Sequence, residues 1–105
     1  IKIRYEEVKY IKGLKDYVII YLDKEHHMTA VNMKTLLLQL PNTNFIRINK
    51  SFIVNIYHID SVYQDIVTVG EEELVLSTIY KDEFYEKCVN SKLIKRYFKL
   101  FYFRF

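Results

Sequence analysis

Residues 45–55 read FIRINKSFIVN, and the fold is decided there. Apolar side chains at Phe45, Ile46, Ile48, Phe52, Ile53 and Val54 are interrupted by Arg47, Asn49, Lys50 and Ser51, and Asn55 closes the run. Phe45, Arg47 and Asn49 alternate with Ile46 and Ile48, the period of two by which a strand keeps one face wet. The alternation stops at Asn49-Lys50-Ser51, three hydrogen-bonding residues suited to an exposed bend, and a second apolar run follows at once. Two short strands flanking a polar, basic bend hold a few side chains out rigidly towards something else.

Upstream, residues 8–11 and 17–22 (YVIIYL) read as strands, joined by a turn over 12–16 in which Gly13 is free to take positive φ. Residues 1–3 read as the end of a strand, 4–7 as a polar link, 23–27 as a charged hairpin loop and 28–31 as its return strand. Asn32 suits the N-cap of a short helix whose apolar face is Leu36, Leu37 and Leu40, and Pro41 stops it before a turn at Asn42-Thr43-Asn44. Downstream, strands are expected at 57–63, 66–69 and 73–77, with turns at Gln64-Asp65 and at 70–72. Tyr80, Phe84 and Cys88, four residues apart, predict a terminal helix to about Asn90. Many short strands with close turns and little helix make the chain mainly β with antiparallel pairing.

Composition agrees. The 105 residues suffice for one domain, and ten Tyr and seven Phe beside many Ile and Val favour strands. With two Gly and one Pro, turns must rely on Asn, Asp and Lys. A single cysteine, Cys88, excludes an internal disulfide and most metal clusters, and it suits a reducing compartment. No apolar run approaches the roughly 20 residues of a membrane span, and no signal peptide is visible, so the expected setting is the cytoplasm. A chain opening on Ile1 rather than Met reads as a piece of something longer.

The net charge of +3 is unevenly spread. Residues 1–90 carry 11 Lys and Arg against all 13 Asp and Glu, a balance of −2. Residues 91–105 (Lys92, Lys95, Arg96, Lys99 and Arg104, with no acid) carry +5. Within the acidic body, the 34 residues from His26 to Ile59 contain no acid, yet hold Lys34, Arg47, Lys50 and all three histidines. A polyanion would be drawn to such a face even on a body of near-zero charge.

The order VKYIKGLKDYVIIYL, a Leu-rich helix ending in LP, FIRINKSFIVN, HIDSV and ELVLS resembles the LytTR (LytR/AgrA-type) DNA-binding domain over residues 1–90. The resemblance implies an elongated sandwich of small antiparallel sheets, with one short helix after the third strand and a C-terminal helix. It implies the output domain of a bacterial two-component response regulator, a transcription regulator behind a phosphorylatable receiver domain. Members bind two imperfect direct repeats in promoter DNA as homodimers, through loops rather than a recognition helix, without catalysis or cofactor. Three loops would then face DNA: Lys15-Asp16-Tyr17, Asn49-Lys50-Ser51, and the segment from Thr78 to Lys81. Asn49 stands where the family commonly has His, and Lys50 where it has Arg. The Arg expected within two residues of Ser77 is absent, Lys81 being the first base there. The family's usual first strand would lie before Ile1, and residues 91–105 form a basic, aromatic extension without a family counterpart.

Each candidate also has a plainer reading. Asn49, Lys50 and Ser51 suit phosphates and base edges, Lys as a point charge and Asn as a bidentate partner of adenine, or they are a solvated bend. Arg47 points off the core, towards a phosphate or a surface salt bridge. Lys15 is a phosphate contact or a solvated base, and Asp16 accepts from a cytosine amino group or caps its turn. Lys34 could reach the DNA backbone, but a solvated lysine is the plainer reading. Asn55 reads as structural, bonding backbone in a turn, and Cys88 as core.

His26, His27 and His58 lack the convergent spacing of a zinc site. His58, Asp60 and Ser61, on one expected strand, could not align as a catalytic relay. No enzyme is expected. Residues 91–105 read as a basic amphipathic helix for a membrane or DNA, as an element packing on the domain or a second copy, or as a frayed end. Their six aromatics favour packing. The alternative to DNA binding is a β-rich ligand-sensing or protein-interaction module. That module would need a sizeable apolar pocket and would place Lys15, Arg47 and Lys50 on different faces.

Overall fold

A computed structural model describes residues 2–90, with side chains through Cys88. Residues 91–105, and the expected packing of that extension, lie outside the described residues. Five antiparallel strands form the larger sheet: β1 (Tyr10–Gly13), β2 (Val18–Tyr21), β3 (His26–Thr29), β4 (Phe45–Asn49) and β5 (Phe52–Asn55), in the order β3-β2-β1-β5-β4. β6 (Ser61–Tyr63), β7 (Ile66–Val69) and β8 (Glu72–Val75) form a three-stranded antiparallel meander. Helix α1 (Met33–Gln39) follows β3, and α2 (Thr78–Asn90) closes the described chain. The body measures 39 × 25 × 23 Å, the elongated two-sheet sandwich that the resemblance implied.

The larger sheet is the middle layer. Alternate residues of its central strands enter two separate cores. Tyr10, Ile46, Ile48 and Val54 pack with the small sheet and with Phe84 and Cys88 of α2. Ile11, Phe45 and Ile53 pack with Met33, Leu36 and Leu37 of α1. Phe45 therefore does not share a wet face with Arg47 and Asn49, as the alternation alone suggested. It fills the second core at 1% exposure. A strand covered on both faces reads as a nearly continuous apolar run, which is why Phe52-Ile53-Val54 shows no alternation.

Local chemistry sets the joints. Asn32 caps α1, its Oδ1 accepting from the Thr35 N–H at 2.8 Å. Leu40, held extended (φ −84°, ψ 149°) as residues before proline are, ends the helix at Pro41. Buried Asn55 donates from Nδ2 to the carbonyls of Val8 (2.8 Å) and Tyr5 (3.3 Å) and accepts from the Tyr57 N–H (3.0 Å). That last bond starts a 3-10 turn, Ile56–His58, where a strand was expected over 57–63, so β6 begins only at Ser61.

Other boundaries moved by a few residues. His26 and His27 lie in β3 rather than in the loop before it, and β1 runs two residues later than expected. Residues 2–4 are irregular and Tyr5–Glu7 form a 3-10 turn, in place of a strand end and a link.

Gly13 departs in kind. It lies inside β1 without positive φ, which among the described glycines belongs to Gly70 (φ 61°). A Cβ on Gly13 would fall 2.0 Å from Sδ of Met33. The glycine serves a close approach of α1, not a turn.

Candidate nucleic-acid interface

Four segments meet at one end of the larger sheet. The β1–β2 turn closes with the Leu14 N–H donating to the Tyr17 carbonyl at 2.8 Å, leaving Lys15 and Asp16 exposed at its tip. Tyr17 is also exposed, at 47%. The Gly13 N–H donates to the Ser51 carbonyl at 2.7 Å, tying this turn to the β4–β5 turn. Helix α1 begins beside them with Asn32, Met33 and Lys34. Helix α2 also begins here, since the Ser77 N–H donates to the Ile48 carbonyl at 2.9 Å. It runs towards the opposite end, where Lys87 Nζ donates to the Phe45 carbonyl at 3.3 Å.

The β4–β5 bend is braced from within. Asn49 Oδ1 accepts from the Ser51 N–H at 2.7 Å, and its Nδ2 donates to the Val75 carbonyl, at the end of β8, also at 2.7 Å. Arg47 folds back over the bend. Its Nε donates to the Asn49 carbonyl (3.1 Å) and its Nη2 to the Lys50 carbonyl (2.6 Å). The guanidinium carbon lies 6.0 Å from the Tyr80 ring centroid, at the limit of a cation–π contact with the first turn of α2. Sequence reasoning left Arg47 between phosphate and a surface salt bridge. Its guanidinium instead donates to two carbonyls of the bend, and among the described residues no carboxylate is paired with it.

Lys50 is left pointing outward from this braced bend, and it is not alone. An open depression between the two turns and α1 is lined by Lys15, Lys34, Arg47 and Lys50, with Gly13 and Met33 in its wall. The described residues form two side-chain ion pairs, Arg4–Glu6 and Lys81–Asp65, with His27 placed 3.6 Å from Glu25, and none of these uses the four cations. Four like charges facing one space with no carboxylate lining it favour an anion there. Lys34 is the residue that sequence reasoning set aside as solvated. The acid-free window around it was the available signal. Its approach to Lys15 depends on Met33 lying over Gly13, which no local pattern shows.

Thr78 and Lys81 do not line this depression. Thr78 is exposed at the start of α2, while Lys81 Nζ lies 2.6 Å from Asp65 Oδ1, turned towards the β6–β7 turn. The histidines do not converge. His58 Nε2 lies 2.7 Å from the Glu6 carbonyl, and His27 lies 3.6 Å from Glu25. Asp60 is occupied by the Gly70 N–H at 2.6 Å. Among the described residues no group of three or more His, Cys, Asp or Glu side chains is placed to hold a metal. Also among them, no helix is long and apolar enough to cross a membrane. Cys88 is buried, and burial pushes its thiol up to about 12.

Comparison with known proteins bears on this geometry. The family model for LytTr DNA-binding domains matches residues 1–89. No curated protein matches the chain. Among solved structures, the chain is similar to the LytTr DNA-binding domain of a Bacillus cereus protein described as a methyl-accepting/DNA response regulator. The TM-score is 0.76 at 22% identity, over 83% of this chain and 85% of that one. At that identity the likeness concerns the fold.

Proposed function

This chain belongs to the family of LytTr DNA-binding domains, and from that premise we propose that it is the promoter-binding output domain of a cytoplasmic two-component response regulator. In this reading residues 1–90 are the DNA-binding unit and 91–105 a basic extension of it. A phosphorylatable receiver domain precedes it in the full-length chain. Two copies occupy imperfect direct repeats, and binding needs neither catalysis nor a cofactor.

One observation supports the reading most: Lys15 of the β1–β2 turn and Arg47 and Lys50 of the β4–β5 hairpin line a single depression. The turns carrying them are tied backbone to backbone by the Gly13–Ser51 bond, so the backbone that displays the lysines is already held in place. Lys15 and Lys50 neutralise phosphates, which supplies affinity without sequence preference. Arg47 keeps the bend in shape. Specificity is assigned to Ser51, Asp16, Tyr17 and Thr78 and to deformation of the duplex between the turns, while Asn49 holds the bend to the end of β8. Lys81 would join only by leaving Asp65, an exchange between exposed partners that costs little.

A salt-dependent shift assay on the DNA upstream of the neighbouring genes tests this. Lys50→Ala is expected to weaken every duplex alike and to flatten the dependence on salt. Unchanged binding would remove the bend from the interface.

A further inference from the structure

Resting on the DNA-binding reading, we infer that the depression between the β1–β2 turn and α1 is a seat for phosphates of the DNA backbone, in which Lys34 of α1 makes a phosphate contact of its own beside those of Lys15 and Lys50. This adds a residue of α1 to an interface otherwise made of the two turns and the start of α2. Four observations carry it.

Lys15, Lys34, Arg47 and Lys50 come from three separate segments, yet line the same open space. No carboxylate lines it with them, and none of the four is engaged in an ion pair among the described residues. The closeness of α1 is built in, because Met33 occupies the position where any side chain at residue 13 would begin, its Sδ 2.0 Å and its Cγ 2.5 Å from that point. Finally, α1 is fixed at this end by the Asn32 cap, so Lys34, two residues further on, starts from a held backbone. An anion resolves the repulsion among these cations. The depression opens at the end of the molecule where both turns project, so it suits a phosphate presented on a long strand better than one that must be enclosed.

The shared chemistry is a phosphate oxygen, and its source is separable by experiment. Duplex affinity is measured against salt for the wild type, Lys34→Gln, Lys50→Gln and Lys24→Gln, the last lying in the β2–β3 turn at the other end. Inorganic phosphate is titrated against each protein by amide NMR. The seat predicts that Lys34→Gln lowers the slope of log affinity against log salt by about 0.9, the value of one phosphate contact, on two unrelated duplexes alike. The variant should therefore lose roughly threefold less affinity than the wild type for each fourfold rise in salt. Lys24→Gln should match the wild type. A slope unchanged by Lys34→Gln but lowered by Lys50→Gln overturns the seat and leaves the DNA reading standing. Slopes unchanged by both overturn the two together. Phosphate binding that Lys34→Gln abolishes while its duplex slope stays unchanged makes this a free-phosphate site and overturns the backbone assignment.

Discussion

Asn55 and Asn49 illustrate what one amide can be asked to do. Asn55 is buried, and three backbone groups depend on it. Asn55→Ala leaves those groups unsatisfied, at about 1–3 kcal/mol for each that water cannot reach. We expect urea unfolding to show a loss of roughly 2–4 kcal/mol. Its structural role was legible because Asn after an aliphatic run suits a turn. Asn49 looked like a base reader, and the bond that alters this joins it to Val75, 26 residues away. No local pattern reveals such a partner. With the amide holding the bend to the end of β8, Asn49→Ala should cost about 1–2 kcal/mol in stability and weaken all duplexes, checked by urea melts and by binding to base-substituted sites. Relaxed preference at a single base pair with unchanged stability would restore it as a reader.

Cys88 and Tyr10 titrate late for the same reason. Burial raises Cys88 from 9.0 to about 12, and burial, then the nearby Glu72 charge, raises Tyr10 from 10.0 to about 12. Each keeps its proton in the folded state at a pH where the unfolded chain releases it. Their contribution is therefore complete below about pH 9 and is lost as pH rises from 9 towards 12. Urea midpoints should hold steady to about pH 9 and fall beyond it. At neutral pH a thiol reagent should label Cys88 at the rate of unfolding, not of encounter.

Among the elements, the hairpin of β4 and β5 was legible from its own residues, and so was the capped start of α1. What escaped was the middle-layer position of the larger sheet. Sequence shows that a strand alternates, but not that a second layer waits on its supposedly wet side, and Phe45 was misassigned for that reason. The 3-10 turn at Ile56–His58 escaped because Ile56-Tyr57-His58-Ile59 has strand composition, and only the Asn55 cap redirects it. Gly13 was noticed for the wrong property. Its packing makes a prediction at this scale, since Gly13→Ala forces Met33 out of place and Met33→Ala opens a cavity. Each alone should destabilise by about 2 kcal/mol or more, whereas the double variant should cost clearly less than the sum. Thermal melts of the four proteins measure the coupling, and additive losses would mean that Met33 can move aside freely.

For the whole molecule, the two ends of the sandwich differ in charge. The end with the β1–β2 and β4–β5 turns gathers Lys15, Lys34, Arg47 and Lys50, whereas a second depression, away from it, is lined by Glu7, Asp23, Glu25, Lys24 and His58. A body carrying −2 over residues 1–90 can thus attract DNA at one end and disfavour it at the other. The chain's charge pattern announced the basic face through its acid-free window, but the assembly of that face from three segments is a property of the fold. Amide NMR mapping during titration with a promoter duplex tests the account most directly. It predicts that shifts concentrate at residues 13–17, 32–34 and 47–51 and at the first turn of α2, and fade as salt is raised. Shifts concentrated instead at residues 22–27 and 58 would contradict it.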